Sequence, residues 1–135
     1  YSCHEYVTKN QFKYMMFGNK IVHSYIIKDD EGYTIDFFSF VRYTTNVKDS
    51  AHRIFRSQAY YYSSNDETIY TIMGYIISLS KELGCDVVDI IDIHENGDIV
   101  DSLKFDKGTG ELYYYFYNWK TPYMEPFRMG KMFIL

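Results

Sequence analysis

Six carboxylates, Asp86, Asp89, Asp92, Glu95, Asp98 and Asp101, recur at every third position with no lysine or arginine between them. Convergent oxygen ligands could hold a cation, and His94 beside Glu95 adds a nitrogen donor. On a strand, however, a spacing of three alternates faces, so the first three carboxylates cannot address one ion. No metal is expected. The run reads first as solvated charge at strand and helix ends, and second as an acidic rim that would attract a basic peptide. His4, His23, His52 and His94 are scattered over different elements, and no serine or cysteine stands in the pattern of an activated nucleophile. Gly108-Thr109-Gly110 is short and precedes a strand pattern, which makes it a turn rather than a phosphate loop. A further candidate is the α-carboxylate of Leu135. The chain closes on Lys131-Met132-Phe133-Ile134-Leu135, a strand pattern without a polar tail. Termini normally fray into solvent, so an apolar end that docks carries its carboxylate inward. Burial raises the pKa of a carboxyl, which would make a docked Leu135 carboxylate a better proton acceptor than a terminal carboxylate in water. The plain alternative is that Phe133, Ile134 and Leu135 only complete a strand.

These groups need elements to position them. Thr8 and Gln11 form a capping box that opens a first helix, with Phe12, Met15 and Met16 on one face and Gly18-Asn19 as its end. Two strand patterns, 20–28 and 33–43, flank Asp29-Asp30-Glu31-Gly32, a hairpin connection in which glycine suits a positive φ. In the second pattern Asp36, Phe38 and Phe40 share one face and Phe37 and Ser39 the other, so both faces require cover. A polar segment, 44–53, reads as a surface loop before a third strand over 54–62. Ser64 and Glu67 read as a capping box for the one long helix, whose Ile69, Ile72, Met73, Ile76, Leu79 and Leu83 recur at helical spacing. Lys81 falls in its last turn and Gly84 just beyond its end. Val87, Val88, Ile90, Ile91 and Ile93 form a buried strand pattern, and 97–105 a short helix. Leu112 to Lys120, aromatic on both alternating faces, predicts a central strand covered on both sides.

Composition sets the class. The chain has 135 residues, 47% hydrophobic and 24% charged, as one globular domain requires. Aromatics at 20%, with 16 tyrosines and 10 phenylalanines, are unusually many; they read first as filling core and half-exposed positions and second as lining a pocket or interface. The net charge of -4 argues against a nucleic-acid partner. Cys3 and Cys85 fit reduced thiols better than a disulfide framework. No apolar run reaches membrane-spanning length and no signal-peptide pattern opens the chain, so the cytoplasm is the expected compartment.

Several strings resemble the eukaryotic glycylpeptide N-myristoyltransferases. Leu103-Lys104-Phe105, the turn at Gly108 to Gly110, and Leu112 to Lys120 with Tyr117-Asn118-Trp119-Lys120 are similar to the closing segment of that family. Asp36-Phe37-Phe38-Ser39-Phe40 resembles its Asp-Phe-x-Ser-Phe strand, and Gly84-Cys85-Asp86-Val87, followed by Glu95-Asn96, its Gly-Phe-Asp-Val region. The resemblance runs in order over nearly the whole chain. It implies an α+β, acetyltransferase-like (GNAT-like) fold: a mixed, largely antiparallel sheet with one long and two short helices, residues 1–135 forming one of two related halves. Starting at Tyr1 without a methionine, the chain reads as a C-terminal portion. The implied activity is transfer of myristate from myristoyl-CoA to the N-terminal glycine of a protein. Myristoyl-CoA is then a co-substrate held mainly by the N-terminal half of the enzyme, and nothing is bound covalently. Expected partners are glycine peptides and that N-terminal half, with no nucleic acid and no membrane span. By resemblance Thr45, Tyr60, Asp89, Thr109, Gly110 and Leu112 border the peptide, and the Leu135 carboxylate is the catalytic base. Asp89 stands where the family usually has Asn, and Thr109 where it commonly has Asp. Read without the resemblance, Tyr60 is one aromatic among three in a row. The rival function is a non-catalytic peptide-binding or scaffold module that keeps the fold; a third is a purely structural, aromatic-rich domain.

Overall fold

In the computed structural model, the described residues are 6–64, 68–93, 96–113, 115, 117–125 and 128–130. They fall into two compact units, residues 6–91 and the described residues from Asp92 onward.

The first unit opens with α1 (Lys9–Phe17), and the capping box forms as the sequence requires: Thr8 Oγ1 accepts from Gln11 N at 3.3 Å while Gln11 Oε1 accepts from Thr8 N at 2.9 Å. Then come β1 (Val22–Lys28) and β2 (Thr34–Asn46), antiparallel, joined at Asp29 to Tyr33. Asp29 Oδ1 accepts from the backbone N–H of Glu31 and Tyr33, and Gly32 takes φ 89°, the left-handed conformation the turn demands. β3 (Arg53–Tyr62) returns antiparallel to β2. Both strands run further than the polar composition of 44–53 indicates, leaving 47–52 as the connection. Thr44 and Thr45 pair with Phe55 and Ile54, and their β-branched side chains suit a half-solvated pleat.

The long helix is α2 (Ile69–Glu82). Its cap is Thr68, not Ser64: Thr68 Oγ1 accepts from Thr71 N at 3.3 Å from an extended backbone. Glu67 lies outside the described residues. A Ser-x-x-Glu string is a weak signal when a second hydroxyl stands four residues later with a partner of its own. The helix stops as expected. Gly84 takes φ 74°, Gly84 N donates to Lys81 O and Cys85 N to Ser80 O, the paired bonds of a Schellman motif. The reversed chain enters β4 (Val87–Asp89), parallel to β3, giving the sheet order β1-β2-β3-β4. The expected buried strand is thus three residues long and half-buried.

Alternation along β2 assigns the two faces. Phe37, Ser39, Val41 and Tyr43 look toward α1, where Met16, Val41 and Tyr60 are buried among Phe12, Met15, Val22 and Tyr61. Asp36, Phe38 and Phe40 look the other way, toward α2. There Phe38 stacks on Tyr75 of α2, Tyr25 stacks on Phe38, and His23 on Phe40, with centroids 5.8, 5.3 and 5.3 Å apart. Ile72, Met73 and Ile76 are fully buried, and Ser57 donates to Ser80 across the strand–helix interface at 2.7 Å. β3 carries one extra residue opposite Ser39: Phe40 pairs with Ala59 but Phe38 with Tyr62. The Ser39 hydroxyl bridges that bulge, accepting from Tyr61 N and donating to Tyr61 O, each at 3.0 Å.

In the second unit α3 (Asn96–Val100) is followed by a turn that ends at Lys104 in a left-handed conformation, φ 56°, which closes the helix short of the expected 105. Ile93, Ile99 and Met129 are buried. The described part of 112–120 is not a strand. Tyr115 and Tyr117 are 87% and 86% exposed, and Asn118 adopts φ 60°, which interrupts an extended run. Aromatic strand propensity is a preference for packing on a pleated, half-buried surface rather than an intrinsic preference of the backbone. The final strand over 131–135 lies outside the described residues.

Burial, aided by the charge of Arg42, lowers the pKa of His23 from its ordinary value of 6.5. The unfolded chain then binds more protons than the folded one just below that value, so stability falls as pH falls through this window. His23→Phe keeps the ring stacked on Phe40 and removes the titration. Urea midpoints should drop between pH 7.5 and 5.5 more in the parent than in His23→Phe; equal drops would assign the acid sensitivity elsewhere.

Candidate functional site

Register fixes what shares the α1-side face. On β2 it carries Val41, Tyr43 and Thr45. Their partners on β3 are Gln58, Arg56 and Ile54, with Tyr60 two residues beyond Gln58; on β4, Asp89 pairs with Gln58. Three of the residues expected at a peptide site, Thr45, Tyr60 and Asp89, therefore lie on one face. They do not cluster. From Ile54, opposite Thr45, to Tyr60 is about 20 Å at 3.3 Å per residue, the reach of a short extended peptide. Tyr60 is 8% exposed beside Met16 and Val41, and its ring meets that of Tyr61 edge-on at 4.7 Å. Thr109, Gly110 and Leu112 are exposed in the second unit. Leu135 lies outside the described residues.

The polar centre of this face is a group of three side chains from three adjacent strands. Arg56 donates from Nε to Asp89 Oδ2 at 2.8 Å and from Nη2 to Asp89 Oδ1 at 2.6 Å, and Tyr43 Oη donates to the same Oδ2 at 3.1 Å. Tyr43 and Arg56 are direct cross-strand partners, and Asp89 reaches them from β4. The side-on, two-bond pairing is the strong geometry for a guanidinium and a carboxylate. It raises the pKa of Arg56 above its already high ordinary value, against a smaller opposing effect of burial. Burial first, and then the negative charge of Asp89, raise that of the Tyr43 phenol. Asp89 therefore brings no net negative charge to the face.

The rest of the acidic run is divided. Asp86 Oδ2 accepts from Phe55 N at 2.9 Å while Asp86 N donates to Phe55 O at 2.7 Å, so it pins the start of β4 against β3. Asp92, Asp98 and Asp101 are exposed, and Glu95 and His94 lie outside the described residues. Among the described residues no three His, Cys, Asp or Glu side chains are grouped to hold a metal ion. Cys85 is a free, half-buried thiol, and Cys3 lies outside the described residues. No described helix is long and apolar enough to cross a membrane. Tyr43 and Arg56 were not legible as site residues, because only the β2–β3 register puts them opposite one another.

Comparison with known proteins decides the family. Residues 1–131 match the description "Myristoyl-CoA:protein N-myristoyltransferase, C-terminal domain". The chain belongs to that family. It is 31% identical over 112 residues to glycylpeptide N-tetradecanoyltransferase 2 of Danio rerio, a match covering 82% of this chain and 23% of that protein. It is 28% identical over 129 residues to the glycylpeptide N-tetradecanoyltransferase of Candida albicans, covering 84% and 29%. The chain spans about a quarter of the length of the curated relatives it matches. In fold it is similar to Saccharomyces cerevisiae N-myristoyltransferase with bound myristoyl-CoA, with a TM-score of 0.62 and 22% identity over 76% of this chain and 29% of that one. A ribosomal-protein-alanine N-acetyltransferase from Brucella melitensis biovar Abortus 2308 shares the fold at a TM-score of 0.56 and 10% identity, covering 78% of each chain. The α+β, acetyltransferase-like architecture expected of the N-myristoyltransferase family is therefore the one observed.

The side chains of Arg56 and Asp89 are 30% and 29% exposed, so solvent screens their pairing. Exposed pairs typically contribute about 0.2–1 kcal/mol. In a double-mutant cycle with Arg56→Gln and Asp89→Asn, urea denaturation should return a coupling energy of no more than about 1 kcal/mol. A value above about 3 kcal/mol would be that of a buried pair.

Proposed function

We propose that this chain is the peptide-binding, C-terminal domain of a protein N-myristoyltransferase that transfers myristate from myristoyl-CoA to the N-terminal glycine of cytoplasmic proteins. The observation that carries the reading is the family match over residues 1–131, to which both compact units contribute. The shared face supports it, since Thr45 and Tyr60 bracket a path long enough for several extended residues. The resemblance assigns peptide contacts to Asp89, Thr109, Gly110 and Leu112 as well. Myristoyl-CoA is held mainly by the N-terminal half of the complete enzyme.

The reaction asks little covalent chemistry of the protein. The glycine ammonium gives up one proton to the base, the freed amine attacks the thioester carbonyl, the C–S bond breaks, and the nitrogen's second proton passes to the departing thiolate, so that CoA leaves as the thiol. The product is an amide. Positioning and a nearby base supply the acceleration. The resemblance assigns the base to the α-carboxylate of Leu135. In water a terminal carboxyl near pKa 3.5 is a poor match for an α-amine near 7.8; burial of both groups narrows that gap.

Two experiments on the complete enzyme test this assignment. Adding one or two residues after Leu135 moves the carboxylate by about 3.3 Å per residue. kcat should fall by a factor on the order of 10² to 10⁴, as for a lost general base, with peptide and acyl-CoA binding largely kept. Unchanged kcat would assign the proton to another group.

The second experiment concerns Tyr60, whose burial makes Tyr60→Ala a core deletion, comparable to Ile76→Ala at about 2–5 kcal/mol. Tyr60→Phe keeps the ring. It should raise KM for the peptide several-fold with little change in Tm if the hydroxyl meets the substrate; an unchanged KM would confine Tyr60 to the core.

A further inference from the structure

Arg56 uses only part of its donor set. Nε and Nη2 are committed to Asp89, and among the described residues Nη1 has no hydrogen-bond partner. The side chain as a whole is 30% exposed, so it is not sealed from solvent. Asp89 holds the guanidinium from β4 through two bonds, and Tyr43 on β2 braces Asp89 in turn, which fixes the plane of a group that is otherwise among the most mobile of side chains. It sits between Thr45 and Tyr60 on the face assigned above to the peptide. A clamped guanidinium with a free edge is a preorganised donor of parallel N–H groups, suited to oxygen acceptors and unsuited to an ammonium.

We infer that Arg56 is a specificity-determining residue of the peptide site. Its Nη1 edge selects a substrate side chain that offers oxygen acceptors, hydroxyl or carboxylate, and disfavours lysine at that position. The inference rests on the peptide-binding reading of this face and inverts the charge preference that the acidic run suggests. The charge of Asp89 is offset by Arg56, and the two side chains are about equally exposed, at 29% and 30%, so selection comes from the unengaged N–H donors rather than from net charge. Asp89 and Tyr43 act as positioning residues. They hold Arg56 and need not touch the substrate.

The test uses the complete enzyme with myristoyl-CoA and a set of glycine peptides, each carrying Asp, Ser, Ala or Lys at one successive position after the glycine. A hydrogen bond to a charged group discriminates by about tenfold or more. At one position kcat/KM for the Asp and Ser peptides should exceed that for the Lys peptide by at least that factor, mainly through KM. Arg56→Gln should collapse the ratio toward one at that position alone, and Asp89→Asn should reduce it in part by loosening the clamp. Arg56→Lys, which keeps the charge without the planar fork, should lose the Ser preference and retain some of the Asp preference. A parent enzyme that prefers Lys, or shows no discrimination at any position, overturns the inference without any variant. So does an Arg56→Gln enzyme of parental Tm with the ratio intact. Failure to acylate any glycine peptide would instead overturn the function proposed for the whole enzyme.

Discussion

Ser39 holds, through one hydroxyl, both the N–H and the C=O of Tyr61 at the place where β3 carries an extra residue. On a pleated sheet each residue inserted into a strand reverses the face of everything beyond it. The bulge lets Tyr60 and Tyr61 both join the α1-side cluster, while Tyr62 falls in line with Phe38 on the α2 side. On the other side of the bulge the ribbon keeps its strict alternation from Ala59 to Arg53, and that alternation puts Arg56 opposite Tyr43. A buried serine in a run of phenylalanines is therefore the point from which both faces of the sheet take their assignment.

Burial follows from this. β2 is interior, and from Asp36 to Val41 it is covered on both faces, which is why that part of its sequence reads aromatic on alternate and intervening positions alike. Phe40 is inaccessible between His23 and Tyr25 on one flank and Ala59 on the other, and Phe38 reaches Tyr75 of α2. The polar pairs, Ser39 with Tyr61 and Ser57 with Ser80, are satisfied inside these layers, as buried hydroxyls must be.

What the sequence made legible was local. The Thr8–Gln11 box, the glycine of the Asp29–Gly32 turn, the stripe of α2 and the glycine ending at Gly84 are decided within a few residues of themselves, and each formed as read. Thr45, Tyr60 and Asp89 could be named from resemblance, yet their common face depends on pairings between strands far apart in the chain. The polar group of that face was hidden for the same reason: Arg56 and Asp89 are separated by all of α2. Local preference misled in the second unit, because composition does not fix a backbone dihedral. The aromatic segment 112–120 has the composition of a strand, and Asn118 has the dihedral of a turn.

β4 is three residues long and enters the sheet only after the crossover through α2, whereas β1, β2 and β3 are neighbours in sequence as well as in space. A short parallel strand at an edge is the element most readily released in local opening, long before the sheet itself unfolds. Asp89 is its last residue. An excursion of β4 would take the carboxylate away and leave Arg56 attached to the sheet as an unaccompanied cation, which ties the electrostatic character of this face to the pairing of one edge. A bound partner that prefers either state would set how often that edge opens.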